Sequence, residues 1–217
     1  MKKAAAWIWE LLFPSKCVLC GKILDAEGQD LCRRCREETF DHHSGRKSIS
    51  FVASWRALWY YEGAVRKSLL RYKFQNARSY AGSYGRLLAM RLLSEGLEFD
   101  VLTWVPVSSR RRLRRGYDQV ALLAQALGEE LEIQPVQTLK KIRHNPPQSG
   151  IHGQAERRAN VLGVYRAVQP ERFAGKRVLL VDDIITTGAT VSECARELRS
   201  AGAAEVYCAA VAAARQE

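Results

Sequence analysis

Two neighbouring acids mark the part of the sequence where a binding site is expected. The run RVLLVDDIITTGAT, residues 177–190, starts as an apolar strand, reaches Asp182 and Asp183, and then turns through Thr-Thr-Gly. Two adjacent carboxylates at the end of such a strand repel each other, so we expect a ligand that stabilises the pair. Carboxylates accept hydrogen bonds strongly, and the hydroxyl groups of a sugar are suitable donors. The acid pair therefore predicts a sugar-binding position.

The turn that follows the acids predicts an anion-binding position. It leads into a helix N-terminus, where exposed backbone N–H groups and the helix dipole attract phosphate. Capping would use a single side chain, so it does not account for the whole run. The residues concerned are Thr186, Thr187, Gly188, Ala189 and Thr190. A sugar position beside a phosphate position describes ribose 5-phosphate, and the Gly-Lys-Ser/Thr ending of a Walker loop is absent.

Four cysteines near the N-terminus have the spacing of a zinc site. Cys17, Cys20, Cys32 and Cys35 form the pattern C-x2-C-x11-C-x2-C, which can present four thiolates to one tetrahedral Zn²⁺. Such a short segment needs a metal or a cross-link to fold. Two disulfides or a redox dithiol are the alternatives, and His42 and His43 are spare ligands nearby. Cys194 and Cys208 lie in apolar patterns and are interpreted as core.

Composition and charge limit the possible partners without choosing among them. The net charge is +11, and RRRLRR at 110–115 holds five arginines in six positions. Nucleic acid, phosphorylated small molecules and solubility remain open as explanations. The start MKKAAAWIWELLFP has no small-residue cleavage site, and we interpret it as a short amphipathic helix that packs on its own protein. We expect a cytoplasmic protein without a transmembrane segment.

The elements that must position these residues alternate between strand and helix. Strands are predicted at 54–61, 99–107, 178–182 and from 205 onward, with amphipathic helices at 64–74, 80–96, 117–131 and 190–202. This alternation predicts an α/β fold with a largely parallel sheet flanked by helices. Residues 1–50 would form the N-terminal helix and the small zinc-ribbon-like module, and residues 51–217 the main domain.

The stretch KKIRHNPPQSGIHGQAERR, residues 140–158, has no sustained apolar period. A loop of this length in a compact domain is usually a lid, a binding loop or disordered. Its basic residues Lys140, Lys141, Arg143 and Arg157 suit a mobile hood that closes over an anion.

The motifs together resemble a known family. VLLVDDIITTGAT is similar to the phosphoribosyl diphosphate (PRPP) signature of type I phosphoribosyltransferases. The four cysteines, VPVSSRRRLRRGYDQ, PPQSGIHGQAERRANVLGVY and the signature occur in the order of the competence protein F (ComF) family, over nearly the full length. Asp118 in RGYDQ and Ile151 depart from that family's more usual asparagine and leucine.

The resemblance implies a type I phosphoribosyltransferase fold and a role for each site residue. Asp182 and Asp183 would hold the ribose hydroxyls, residues 186–190 the 5-phosphate, and the loop with Ser108, Ser109 and Arg110 the diphosphate. Mg²⁺ would bind together with PRPP. Lys73 is a further candidate for the anion. The remaining arginines, Arg111, Arg112, Arg114 and Arg115, would either join the diphosphate site or form a solvated basic face.

Three functions follow from these features. The first is transfer of ribose 5-phosphate to a nitrogen acceptor with release of diphosphate, for which no general base is identifiable. The second is a non-enzymatic role in natural transformation, which the resemblance implies, with single-stranded DNA and the DNA-uptake machinery as partners of the basic run. The third is a PRPP-responsive regulator that binds without turnover. Whether the protein is an enzyme stays open at this point.

Overall fold

A computed structural model describes residues 14–24, 30–39, 48–143 and 159–215. Twelve helices and strands are labelled in chain order. They are α1 (Arg33–Glu38), β1 (Ser54–Tyr60), α2 (Gly63–Phe74), α3 (Tyr80–Ser94), β2 (Val101–Trp104), α4 (Ser109–Arg115), α5 (Gln119–Glu130), β3 (Leu139–Lys141), β4 (Tyr165–Ala167), β5 (Arg177–Ile185), α6 (Ala189–Ser200) and β6 (Glu205–Ala213). A single 3-10 turn, Pro170–Arg172, precedes β5.

The main sheet is parallel and has the strand order β1-β6-β5-β2. Its central strands β5 and β6 are almost entirely buried, as expected for strands covered by helices on both faces. Their register pairs Asp182 with Ala210 and Ile185 with Ala213, so the acids lie near the carboxyl end of the strand. The predicted α/β class with a parallel sheet is confirmed.

Each face of the sheet carries its own apolar core. Helices α2, α3 and α5 cover one face, where Leu69, Leu88 and Leu123 pack with Leu179 of β5. Helix α6 and the β3–β4 hairpin cover the other face. Cys194 and Cys208 are fully buried in this second core, as the apolar pattern predicted.

Two local features place α5 firmly beside the sheet. Gly85 of α3 lies so close to Ala126 of α5 that an added Cβ would come within 2.7 Å of its backbone. Asp118 caps α5, since its carboxylate accepts from the N–H groups of Val120 and Ala121 at 3.0 Å. Asp and Asn are equally good N-caps, so the departure at Asp118 from the family's asparagine leaves this helix start intact.

The loop prediction for 140–158 is wrong at its start. Lys140 and Lys141 lie in strand β3, which pairs antiparallel with β4 through Lys140↔Arg166 and Lys141↔Tyr165. The basic sequence hid the strand because only its first residue, Leu139, is buried. Residues 144–158, and with them Arg157, lie outside the described residues.

The cysteine module packs directly on α2 and α3 and shares their apolar core. Val18 and Leu19 are nearly fully buried there, and the Oγ of Ser68 in α2 donates to the carbonyl of Val18. Arg86 of α3 forms a two-point ion pair with Asp30 at 3.1 and 2.6 Å. The helix expected at the N-terminus and the two histidines at 42 and 43 lie outside the described residues.

Candidate ligand cavity and cysteine cluster

A cavity of about 480 Å³ lies beyond the carboxyl ends of β1, β2 and β5. This is the edge where parallel α/β sheets bind their ligands, because the connecting loops emerge there. Its walls come from seven helices and strands and the loops between them. The lining residues include Tyr61, Lys73, Phe74, Arg111, Arg114, Arg115, Gln119, Lys141, Tyr165, Asp182, Asp183, Thr186, Gly188, Ala189 and Thr190.

The two acids reach the cavity from opposite faces of the sheet, because successive strand residues alternate between faces. Asp183 faces α2 and α5: its carboxylate pairs with Lys73 Nζ at 2.8 Å and accepts from Gln119 Nε2 at 2.9 Å. Asp182 faces the side of β3, β4 and α6, where it interacts with Lys141. Burial, and after it the charge of Asp182, raise the pKa of Cys194 on this side. Both acids are buried, with relative exposures of 8% and 5%.

Burial and the neighbouring charge of Asp183 raise the pKa of Asp182 to about 8. On the same side, burial and the charge of Arg111 lower the pKa of Lys141 to about 8. Lys141 Nζ lies 3.4 Å from the hydroxyl of Tyr165. An acid and a base that both titrate near neutral pH in one cavity are typical of a functional site.

The Thr-Thr-Gly turn is placed beside the acids, as predicted. Gly188 has φ +76°, a conformation that favours glycine, and an added Cβ would come within 3.0 Å of Ile49. Thr186, Gly188, Ala189 and Thr190 line the cavity, whereas Thr187 does not. The Thr187 hydroxyl instead accepts from the Ala189 N–H at 3.4 Å, a long contact at the helix start.

The basic run forms a short helix, α4, that the sequence analysis did not identify. Ser108 caps it, with its Oγ accepting from the Arg111 N–H at 3.3 Å, and Gly116 ends it at φ +78°. Serine before the run and glycine after it are helix start and stop signals that could have revealed this element.

The helical spacing of α4 divides the arginines between two environments. Arg111, Arg114 and Arg115 share one face at i, i+3 and i+4 and line the cavity. Ser108, Ser109, Arg110 and Arg112 are not among the lining residues; Ser108 is buried by its capping role, and the other three are exposed. The structure thus brings Arg111, Arg114 and Arg115 to the cavity instead of Ser108, Ser109 and Arg110, the residues selected from sequence.

Two buried polar atoms at the cavity lack hydrogen-bond partners among the described residues. They are the Nε of Arg115 and the Oε1 of Gln119. The guanidinium of Arg115 lies over the Phe74 ring, 5.0 Å from its centroid. Buried polar groups in proteins are nearly always paired, so these two atoms favour a polar ligand in the cavity.

The four N-terminal cysteines form a cluster that fits one metal ion. Their sulfurs all lie within 4.8 Å of one another. The Sγ atoms of Cys20 and Cys32 are 3.7 Å apart, close to the edge of a tetrahedron with metal–sulfur bonds of about 2.3 Å. All four are free thiols, and Gly21, at φ +78°, makes the first turn. The donor set therefore fits a closed, structural zinc site.

Within the described part of the chain, no helix combines the length and the apolar character needed to cross a bilayer.

Comparison with known proteins agrees with both parts of the molecule. A phosphoribosyl transferase domain model matches residues 113–217, and a double zinc ribbon domain model matches residues 8–45. The chain is 30% identical over 204 residues to the DNA utilization protein YhgH of Escherichia coli O157:H7, covering 88% of each protein.

Two further relatives are competence proteins. Competence protein F of Haemophilus influenzae is 28% identical over 219 residues, covering 89% of this chain and 95% of that protein. Competence protein ComFC of Streptococcus pneumoniae is 26% identical over 194 residues, covering 88% of this chain and 84% of that protein.

Proposed function

Because the chain belongs to the ComF family of phosphoribosyltransferase-like proteins, we propose that it binds PRPP in the cavity beyond β5. The observation that carries the proposal is the placement of two buried carboxylates, the Gly188 turn and several cationic side chains around one space of 480 Å³. Acids without bases would repel a phosphorylated ligand, and bases without acids would offer nothing to its sugar.

In this arrangement the sugar lies across the end of β5. The carboxylates of Asp182 and Asp183 accept hydrogen bonds from the ribose hydroxyls, one from each face of the sheet. The turn from Thr186 to Thr190 takes the 5-phosphate at the start of α6, where the helix dipole favours an anion.

The diphosphate lies toward α4 and β3. Arg111, Arg114 and Arg115 present planar guanidinium groups to the cavity, and such groups pair with phosphate oxygens at two points. Lys141 adds a charge from the opposite side. Ser108, Ser109 and Arg110, at the start of the same helix, are candidates for the outer phosphate. The mixture of carboxylates and cations also suits a diphosphate that carries Mg²⁺, which would supply further countercharge.

Transfer would follow from the same geometry if an acceptor enters. A nitrogen nucleophile bonds to the ribose carbon while the carbon–oxygen bond to diphosphate breaks, and diphosphate departs with that electron pair. The transition state would resemble an oxocarbenium ion, as in other glycosyl transfers. Arginines near the departing group would stabilise its growing charge.

Calorimetric titration with Mg–PRPP tests the binding proposal. The wild-type protein should bind, and Asp182→Asn and Asp183→Asn should each lower the affinity by about tenfold or more, because each replaces a carboxyl oxygen that can accept from a ribose hydroxyl with an amide nitrogen that cannot. Asp118→Asn is the matched control: Asp118 does not line the cavity, and asparagine preserves the cap. Normal binding by both cavity variants would contradict the proposal.

A second titration distinguishes the two faces of α4. Arg111→Ala should weaken PRPP binding by about tenfold, as expected when a charged hydrogen bond is lost, whereas Arg112→Ala, an exposed neighbour, should leave it within about twofold. Equal losses in the two variants would indicate a general effect of positive charge instead of a diphosphate contact.

Turnover is tested separately by incubation with Mg–PRPP and a panel of nitrogenous bases, followed by assay of diphosphate. Release that depends on one base would establish a transferase. Binding without release would indicate a PRPP-responsive, non-enzymatic protein.

We also propose a role in DNA utilization, which the names of the relatives suggest and the outer face of α4 supports. Arg110 and Arg112 are exposed there, and so is Leu113, with a relative exposure of 83%. Such a surface can follow a phosphate backbone. Single-stranded DNA binding through it should weaken steeply with salt and should fall in Arg110→Ala/Arg112→Ala, whereas PRPP binding should be retained. A flat salt response would contradict this role.

The four-cysteine cluster is proposed to hold one structural Zn²⁺. Four thiolates complete its coordination, so no position is open for catalysis.

A further inference from the structure

We infer that Gln119 is a specificity-determining residue that recognises a ribose hydroxyl, so that the cavity prefers ribose 5-phosphates to 2-deoxyribose 5-phosphates. The inference rests on the proposed function and refines it, since it assigns sugar selection to a residue that the acid pair does not include.

The side chain of Gln119 is held in one orientation. A carboxylate only accepts hydrogen bonds, so the amide must direct its Nε2 toward Asp183, at 2.9 Å. Lys73 fixes the same carboxylate from α2 at 2.8 Å. The main chain is fixed as well, because the hydroxyl of the fully buried Tyr72 donates to the Gln119 carbonyl at 2.5 Å.

In this orientation the Oε1 of the amide is left without a hydrogen-bond donor among the described residues. Gln119 is 3% exposed and lines the cavity, and its Oε1 has no hydrogen-bond partner among the described residues. A buried carbonyl oxygen is an acceptor, so it calls for an O–H or N–H donor. The unpaired oxygen therefore points to a donor group on the ligand.

The position of that oxygen selects the hydroxyl of a sugar. Oε1 belongs to the same amide that binds Asp183, so the cavity places two acceptors next to each other. Two adjacent acceptors match two adjacent donors, as in the vicinal diol of ribose. A sugar that lacks its 2-hydroxyl would leave one buried acceptor unpaired, and sites built around a hydrogen bond reject ligands that lack the partner.

The test is the ratio of affinities for ribose 5-phosphate and 2-deoxyribose 5-phosphate, measured by calorimetry. The wild-type protein should prefer ribose 5-phosphate by about tenfold or more, the usual effect of one buried hydrogen bond. Gln119→Met is similar in size but lacks both the Oε1 acceptor and the Nε2 donor to Asp183. It should reduce this ratio at least threefold while leaving the affinity for the deoxy sugar within about threefold, because Lys73 still pairs with Asp183.

Gln137→Met is the matched control, because the Gln137 Nε2 donates to the Leu139 carbonyl outside the cavity lining. It should keep the wild-type ratio. Should Gln119→Met fail to fold, Gln119→Asn withdraws the acceptor by one methylene, and the same loss of ratio is expected.

The outcomes separate this inference from the proposed function. If the wild-type protein binds ribose 5-phosphate and the Gln119 variants keep its preference, Gln119 does not select the sugar, although the cavity still binds it. If neither sugar phosphate binds the wild-type protein, the cavity assignment itself fails.

Discussion

The cysteine cluster and the ligand cavity are built in opposite ways. The four sulfurs come from one short segment, between residues 17 and 35. The cavity draws its lining from positions 61 to 191 and from both faces of the sheet. The first site needs only two tight turns to assemble, whereas the second needs the whole parallel sheet.

The two sites also differ in what they do to stability. A structural metal contributes its binding free energy to folding. The cavity instead contains a buried acid with a raised pKa and two polar atoms without described partners, and each of these costs stability until a ligand arrives. Removing a zinc ligand and removing the Asp182 carboxyl are therefore expected to change the stability of the free protein in opposite directions.

Loss of a zinc ligand should have the largest effect. Cys35→Ala should abolish stoichiometric zinc and lower the thermal midpoint by on the order of 10 °C, because the module packs against α2 and α3. Metal analysis and calorimetry measure both quantities. Cys194→Ala, at a fully buried core cysteine, is the matched control and should keep its zinc. Retention of zinc by the Cys35 variant would break the comparison.

Removal of the Asp182 carboxylate should stabilise the free protein while weakening PRPP binding. The pKa of Asp182 is raised in the folded state, so the fold binds its proton more tightly than the unfolded chain does. The stability that this group contributes is present at low pH. It is lost as the pH rises from the ordinary pKa of an aspartate toward 8.

The advantage of Asp182→Asn should therefore grow with pH. We expect it to be small near pH 4, to grow to several kcal/mol by pH 8, and to remain constant above that. Urea denaturation across this range measures it. Asp118→Asn provides the comparison at a helix cap. If Asp182→Asn is less stable than the wild-type protein at pH 8, Asp182 stabilises the fold and the prediction is wrong.

The smallest effect is expected at Gly188. Alanine there should cost about 1 kcal/mol because of the positive φ, with a further cost from Ile49. Gly175 shares a positive φ, +70°, but has open space around it and does not line the cavity. Both alanine variants should lose stability, and only Gly188→Ala should also lose PRPP affinity in titration. If Gly188→Ala and Gly175→Ala bind PRPP with equal affinity, the turn at Gly188 is not part of the binding site.

The elements that the sequence predicted best are those with strong local signals. The apolar runs around Leu180 and Cys208 predicted buried strands, and Gly202, at φ +103°, ends α6 as expected. Strand β3 was missed because one buried residue, Leu139, gives no alternation to recognise. Helix α4 was missed because its arginines have no apolar face, although its cap and its final glycine were readable.

The site divides in the same way. Asp182, Asp183 and Gly188 could be selected from one stretch of sequence, because a strand, an acid pair and a turn are contiguous. Lys141 and Gln119 could not be, because their roles depend on which elements lie beside β5. Nor does residue order show that the two acids face opposite sides of the sheet with different basic partners.

By itself, the sequence determined the local chemistry: four thiols at metal-binding spacing, an acid pair after a buried strand, and a glycine where the turn needs positive φ. These depend on short stretches of chain, whose geometry follows from neighbouring residues. The tertiary structure decided which arginines reach the cavity, which lysine pairs with Asp183, and where Gln119 directs its unpaired oxygen. Such contacts join residues far apart in the chain, so they are set by how the helices pack on the sheet.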